Sequence, residues 1–192
     1  MQTMPLIIET VGRNKKTFDI PTKLYEKNII TLFDEISDDT SYLIITQLIY
    51  LDTLDSDENI KLYVNSPGGS VTAGLAIIDT IESMNRKVDT VGVGSCASMG
   101  AMLLMCGTGT RKALKSTRIM LHSVSGGGHN GTVQDQIISL EETKFLQEEL
   151  MTKIAKRSNL SLKKAKELTA RDYYISSKEA VKNGIIDEVV AA

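Results

Sequence analysis

The sequence predicts an α/β fold with a largely parallel sheet, and three observations carry that expectation. Short apolar runs alternate with segments whose apolar residues recur at helical spacing. Strand–helix–strand repetition of this kind builds right-handed crossovers and parallel pairing. Two of the strands run into small-residue turns, Asn65-Ser66-Pro67-Gly68-Gly69 and Gly94-Ser95-Cys96-Ala97-Ser98. No fixed-period repeat or Pro/Ser-rich linker divides the 192 residues, so a single domain over 1–192, long enough to bury a core, is expected.

The elements follow in chain order. Leu6-Ile7-Ile8 and Asn28-Ile29-Ile30-Thr31-Leu32-Phe33 read as short strands. Asp38-Asp39-Thr40 caps a helix carrying Leu43, Ile44, Leu48 and Leu51 at helical spacing. Ile60-Lys61-Leu62-Tyr63-Val64 is a strand ended by the Pro-Gly-Gly turn. A helix over about 71–84 turns Leu75, Ile78 and Ile81 toward a core, and a strand over 88–93 with a helix around 98–105 repeats the unit. Arg118-Ile119-Met120-Leu121 makes another strand, and Ser125-Gly126-Gly127-Gly128-His129-Asn130-Gly131 has the most flexible composition of the chain. A long charged helix is expected over about 133–157 and a shorter one over 161–168. The chain closes with Ile185-Ile186-Asp187-Glu188-Val189-Val190.

Composition narrows the function class. A net charge of −2 gives no general attraction to nucleic acid or to an acidic membrane surface. Two cysteines, Cys96 and Cys106, form neither a disulfide framework nor a Cys-x-x-Cys site, which fits a reducing compartment. No basic-then-apolar signal segment opens the chain. The longest apolar stretch, 88–106, is broken by Asp89, Thr90 and several glycines and reads as strand plus helix rather than a membrane span. A soluble, cytoplasmic protein is expected.

Two chemical readings compete for residues 92–101. Gly92-Val93-Gly94-Ser95-Cys96-Ala97 matches a G-x-G-x-x-A dinucleotide fingerprint placed between strand and helix. That fingerprint needs an acidic residue roughly 20 positions on for the ribose. Between Thr90 and Gln134 there is no Asp or Glu, in a chain with 24 of them. The other reading is nucleophilic serine chemistry, which needs a hydroxyl, an imidazole, a carboxylate and N–H donors for an oxyanion. Ser98 supplies the hydroxyl and Met99 one N–H, although most serines at helix starts are caps. The chain has two histidines, His122 and His129, both downstream of Ser98. His122 closes a strand and can project from the same sheet edge as Ser98, and a structural histidine is its plainer explanation. His129 sits in the glycine-rich loop. Spacing alone does not choose among the carboxylates.

Four motifs taken together resemble the proteolytic subunit of the Clp protease (the ClpP family). They are Asn65-Ser66-Pro67-Gly68-Gly69-Ser70-Val71, Cys96-Ala97-Ser98-Met99-Gly100-Ala101, Met120-Leu121-His122 followed by Gly126-Gly127, and Arg171-Asp172-Tyr173-Tyr174-Ile175-Ser176. They arrive in that family's order over about 5–190. The resemblance implies repeated β-α-β units of the ClpP/crotonase spiral type with a protruding helix-and-strand handle. The head would span about 1–122 and 158–192 and the handle about 123–157. It implies Ser98 as nucleophile, His122 as general base, Asp172 as the carboxylate orienting the imidazole, and Gly69 and Met99 as oxyanion donors. It further implies substrate binding by Ser70, Val71, Ser125 and Gly126, with an extended peptide pairing as an added strand near Ser125 to Gly128. Arg171 would sit at a contact between rings. The implied function is ATP-dependent degradation of unfolded polypeptides inside a barrel of two stacked seven-membered rings, fed by an AAA+ Clp ATPase unfoldase that uses the ATP. The subunit itself has no Walker loop and needs neither cofactor nor metal, nucleic acid nor membrane.

Departures from the family pattern carry their own expectations. Ser123-Val124 replaces Gln-Pro after His122, with one extra residue in Gly128-His129-Asn130, and loss of a fixed-φ proline should loosen the start of the handle. Ala170 stands where an acidic residue precedes Arg171, and Lys61 and Lys112 where aromatics line the unfoldase pocket. An ammonium there disfavours an apolar partner unless its stem snorkels away. A divergent copy working in mixed rings with a second ClpP subunit, structural or weakly active, is the alternative these changes raise. An acyl-CoA enzyme of the related crotonase spiral is a third reading, against which the acid-free stretch counts. The charged faces of the long helix, with Glu141, Glu142, Lys144, Glu148 and Glu149, also read simply as solvated.

Overall fold

A computed structural model describes residues 4–125 and 131–190. Its elements are β1 (Ile7–Val11), β2 (Asn14–Phe18), α1 (Ile20–Tyr25), β3 (Ile29–Leu32), α2 (Asp38–Asp52), β4 (Ile60–Ser66), α3 (Val71–Ser83), β5 (Val88–Ala97), α4 (Met99–Met105), β6 (Arg111–Ala113), β7 (Arg118–Leu121), α5 (Val133–Arg157), α6 (Leu162–Thr169), β8 (Tyr173–Ser176), α7 (Ser177–Lys182) and β9 (Glu188–Val189).

The main sheet runs β3-β4-β5-β6-β9, parallel throughout. β5 has ten residues and serves two neighbours in turn. Thr90 to Gly92 pair with β6, and Ser95 to Ala97 pair with β7. β7 then pairs antiparallel with β8, Leu121 opposite Tyr173, the one reversal in an otherwise parallel sheet. β1 and β2 form a separate antiparallel hairpin across Gly12-Arg13, Gly12 taking the φ of +65° that a tight two-residue turn needs.

The sequence readings of β7 and α5 coincide with the observed elements, and β5 extends beyond 88–93 to Ala97. The short elements β2, α1, β6, β8 and α7 were not foreseen, and of 185–190 only Glu188–Val189 pairs as strand. The cap of α2 is Ser37 rather than the Asp38-Asp39-Thr40 run. Ser37 and Thr40 form a reciprocal capping box, and the two aspartates sit in the first turn beside the helix's positive end. Between His122 and Val133 the described residues form no strand, and Gly126 to Asn130 lie outside them.

The core lies between the sheet and α2, α3 and α4, where Leu48, Leu62, Ile77, Ile78, Leu103 and Leu104 are buried. α4 is buried at all seven positions, which explains its uniformly apolar sequence. α5 behaves differently along its length. Leu150, Met151 and Ile154 of its last third enter the core, while Val133, Ile138, Leu140 and Phe145 are exposed beside solvated Glu141, Glu142, Lys144, Glu148 and Glu149.

Two arginines tie element ends together. Arg86 is buried and donates to the Leu51 and Glu58 carbonyls, closing the end of α2. Arg111 donates to the Arg157 and Gly184 carbonyls and pairs with Asp187, joining β6, the end of α5 and the approach to β9. Hydrogen bonding from the Arg111 side chain holds the Asp187 carboxyl below the usual carboxylate range, against partial burial that would raise it. A depressed carboxylate stabilises the fold above its unfolded pKa, about 3.9, and that stability disappears as pH falls through the lower folded value. Asp187→Asn is therefore expected to lower Tm at pH 7 by roughly 2–4 °C, taking about 1 kcal/mol for a partly exposed pair. The difference should close as pH drops below about 4. Thermal melts of both proteins across that range check this, and equal Tm at pH 7 would remove the pair from the account.

Candidate active site

Three backbone segments meet at the site: the turn from β5 into α4, the Gly68-Gly69 turn after β4, and the end of β7. Ser98 occupies the first with φ +53° and ψ −124°, a conformation that costs a non-glycine residue about 1–3 kcal/mol. Surrounding bonds impose it. The Ser98 N–H donates to the Met120 carbonyl at 2.8 Å, and the Ser98 carbonyl accepts from Ala101 and Met102 at 3.0 and 3.1 Å to start α4.

The other serines at helix starts, Ser37, Ser70, Ser161 and Ser176, each accept an N–H of the following turn with their side chains. Ser98 does not cap α4. Its Oγ lies instead 2.8 Å from His122 Nε2. The plain cap that sequence favoured for a serine at a helix start is therefore not what Ser98 does.

His122 follows β7 directly, and the β7–β8 pairing brings Asp172, just before β8, alongside it. The distance from His122 Nδ1 to Asp172 Oδ1 is 3.7 Å, beyond hydrogen-bond reach. The two contacts of the imidazole are thus unequal, one made and one open. Asp172 is also the more solvated partner, its side chain 59% exposed against 24% for His122.

The Gly68-Gly69 turn stands against Ser98 on the other side. Gly68 has φ +100° and Gly69 φ +145°. A Cβ on Gly68 would stand 2.6 Å from Ser98 Cβ, and one on Gly69 would stand 2.2 Å from the Ile36 carbonyl oxygen. The turn is fixed by Ile36 N–H donating to the Gly68 carbonyl and Ser70 N–H donating to the Ile36 carbonyl, at 2.8 and 2.7 Å. Among the described residues, the N–H groups of Gly69 and Met99 have no hydrogen-bond partner. Met99 is the first residue of α4, so the helix itself offers its N–H no acceptor. Gly69, Met99, Ser98 and His122 all line one pocket of about 50 Å³. Val71, Met102, Leu121, Leu150, Met151 and Ile154 give it an apolar side, and Ser98, His122, Ser123 and Ser125 a polar one.

Of the expected substrate-binding residues, Val71 and Ser125 line this pocket, and Gly126 lies outside the described residues, as does His129. The Ser70 N–H donates to the Ile36 carbonyl and its hydroxyl oxygen accepts from the Ala73 N–H, so both groups serve the turn and the start of α3. Arg171 adjoins a second, open pocket with His122, Ala170 and Asp172, and makes no ion pair among the described residues. Lys112 pairs with Glu188. Sequence reasoning passed over Ile36 and the Met120 carbonyl, because the groups that matter there are main-chain atoms with no side-chain signature.

The competing chemistry loses its structural basis. Gly92 to Ala97 is strand, not a phosphate-cradling turn, and a Cβ on Gly92 would meet Leu104 and Cys96 at 3.0 and 3.2 Å. Both cysteines are buried, and that burial pushes each thiol up to about 12, so neither is a nucleophile near neutrality. Among the described residues, no cluster of three or more His, Cys, Asp or Glu is placed to hold a metal, and no helix is long and apolar enough to cross a membrane.

Comparison with known proteins agrees with the geometry. The chain is 42% identical over 188 residues, 97% of its length and 96% of the relative's, to the ATP-dependent Clp protease proteolytic subunit 1 of Prochlorococcus marinus strain MIT 9312. It is 41% identical, over 97% of its own length and 95% of the relative's, to the protein of the same name from Prochlorococcus marinus subsp. pastoris strain CCMP1986 / NIES-2087 / MED4. Residues 12–192 match the family described as Clp protease. With a parallel α/β sheet and a seryl–imidazole pair at its strand ends, the chain belongs to the Clp protease family.

Proposed function

We propose that this chain is a proteolytic subunit of an ATP-dependent Clp protease, a serine endopeptidase that cuts unfolded polypeptides through an acyl-enzyme. The observation that carries the reading is the uncapped Ser98 hydroxyl 2.8 Å from His122 Nε2, beside the unused N–H of Met99.

The steps follow from the groups present. Nε2 accepts the Ser98 proton, so Nδ1 carries the ring's N–H and faces Asp172. Ser98 Oγ bonds to the substrate carbonyl carbon as its proton passes to Nε2. The oxyanion that develops is held by the N–H groups of Gly69 and Met99, the latter reinforced by the positive end of α4. Collapse breaks the C–N bond, and His122 returns the proton to the leaving amine. Water, deprotonated by His122, then hydrolyses the ester. Asp172 orients the imidazole and stabilises its charged form once within hydrogen-bond range. The pocket formed by Val71, Met102 and Leu150 selects an apolar side chain at the cleaved bond.

The chain works as part of a barrel with a Clp ATPase partner that spends the ATP. The subunit needs no cofactor or metal and operates in the cytoplasm. We assign it to two stacked seven-membered rings, with the exposed apolar residues of α5 (Val133, Ile138, Leu140, Phe145) as the surface that stacking buries. A structural, weakly active role is not favoured, because the Ser98–His122 pair is intact.

Three measurements test this reading. A fluorophosphonate probe should label the wild-type protein on Ser98 and leave Ser98→Ala unlabelled, and an unlabelled, assembled wild type would overturn the assignment. Gly68→Ala should cut peptide hydrolysis by roughly 100-fold, because its Cβ displaces Ser98 by an ångström or more. Activity within threefold of wild type would refute the close-approach argument. Native mass spectrometry should find the mass of fourteen chains, and a Phe145→Asp, Leu140→Asp protein should fall to single rings or smaller. Unaltered fourteen-chain particles from that variant would clear α5 of the contact.

A further inference from the structure

Resting on the reading of Ser98, His122 and Asp172 above, we propose that Gln147 of α5 is a positioning residue for the catalytic pair. It acts through Ser123 and Val124, the two residues after His122. The Val124 N–H donates to Gln147 Oε1 at 2.6 Å, and Gln147 Nε2 reaches Ser123 Oγ at 3.4 Å, a weak second contact. Ser123 in turn donates twice to one acceptor, the Thr169 carbonyl, with its N–H at 2.7 Å and its hydroxyl at 3.0 Å. Thr169 is buried, ends α6, and stands three residues before Asp172.

The network therefore joins the residue after the base to the segment that carries the orienting carboxylate, and fastens both to the long helix. Its geometry uses what is particular to this chain. A proline at 124 would fix φ but offer no N–H, whereas Val124 has one and spends it on Gln147. The expected looseness after His122 is thus offset by a hydrogen bond from a different element. Gln147 and Ser123 are only partly buried, so the bonds compete with water, and their effect is on the placing of His122 rather than on global stability. The sensitivity is steep because the His122–Asp172 distance of 3.7 Å is less than an ångström from closing. Small displacements of catalytic groups cost up to about 100-fold in rate.

The test uses the full assembled protein, a short fluorogenic peptide, the rate of fluorophosphonate labelling and native mass. Gln147→Leu should lower kcat about tenfold and slow labelling in parallel, with KM within about twofold and assembly unchanged. Gln147→Glu keeps the acceptor and should hold kcat within about twofold of wild type. In a Val124→Pro background, where the donor is gone, Gln147→Leu should cause no further fall. A Gln147→Leu kcat within twofold of wild type, an undiminished loss in the proline background, or loss of activity only together with assembly would each overturn the proposal. Failure of the wild type to label at Ser98 would instead overturn the catalytic reading beneath it.

Discussion

The turn after β4 passes so close to two neighbouring backbones that only hydrogen fits at Gly68 and Gly69, and the arrangement of the site follows from that approach. On one side Gly69 is bridged to Ile36, so the β3–α2 connection sets the height of the turn. On the other, Gly68 lies against Ser98 Cβ and the Met99 N–H, which sets the distance between the two prospective oxyanion donors. Both glycines have positive φ, so a side chain would clash and would also be strained. A turn held by hydrogen bonds at both Gly68 and Ser70 costs no reorganisation when charge develops beside it, which is what makes main-chain donors effective in catalysis.

The same approach requires β5 to change partners partway along. Its register with β4 slips between Val64 and Ser66, and at that point Asn65 Oδ1 accepts the Ser95 N–H while Gly94 takes φ +64°. The slip frees the last part of β5 from β6 and delivers it to β7, with Ala97 opposite Met120. Only then does the Met120 carbonyl meet the Ser98 N–H and hold Ser98 in its strained conformation, two residues before His122. Ser98 and His122 are thus brought together by strand pairing, before any side-chain contact is counted. The buried, wholly apolar α4 completes the support, because a helix with no solvent face cannot rotate without opening the core.

What could be read in the sequence, and what could not, divides along this line. The α/β class, α5 and β7 were legible because long or strongly periodic segments announce themselves. The short strands β6, β8 and β9 were not, since two to four residues carry no period and owe their conformation to the sheet they join. Of the proposed site, Ser98, Met99 and His122 could be singled out from residue chemistry and position, while Asp172 and Gly69 came only with the family resemblance. The site was illegible where it rests on main-chain geometry. Nothing in the residue at 36 or 120 announces that its carbonyl holds the site together. The expected loosening after His122 missed Gln147 for a related reason, because a contact 23 residues distant depends on how α5 lies.

The unequal contacts of His122 follow from how each partner is held. Ser98 is fixed through its own backbone to β7, the strand that His122 follows, so their 2.8 Å contact is determined by rigid pairing. Asp172 belongs to the short link between α6 and β8, has a largely solvated carboxylate, and among the described residues is anchored through its neighbours at Thr169 behind it and Tyr173 ahead. A solvated carboxylate gains little by moving to a neutral imidazole, since it exchanges water for one hydrogen bond. It gains considerably more once the imidazole is charged and substrate excludes water, because the same pair then interacts across a lower dielectric. In the proposed mechanism the weak leg of the constellation is therefore the one whose strength grows along the reaction coordinate, where differential stabilisation raises kcat rather than ground-state affinity. On that mechanism a link with this slack places its largest stabilisation in the charged state, and the groups proposed to set its resting position, Thr169 with Ser123 and Gln147, would act on rate more than on fold.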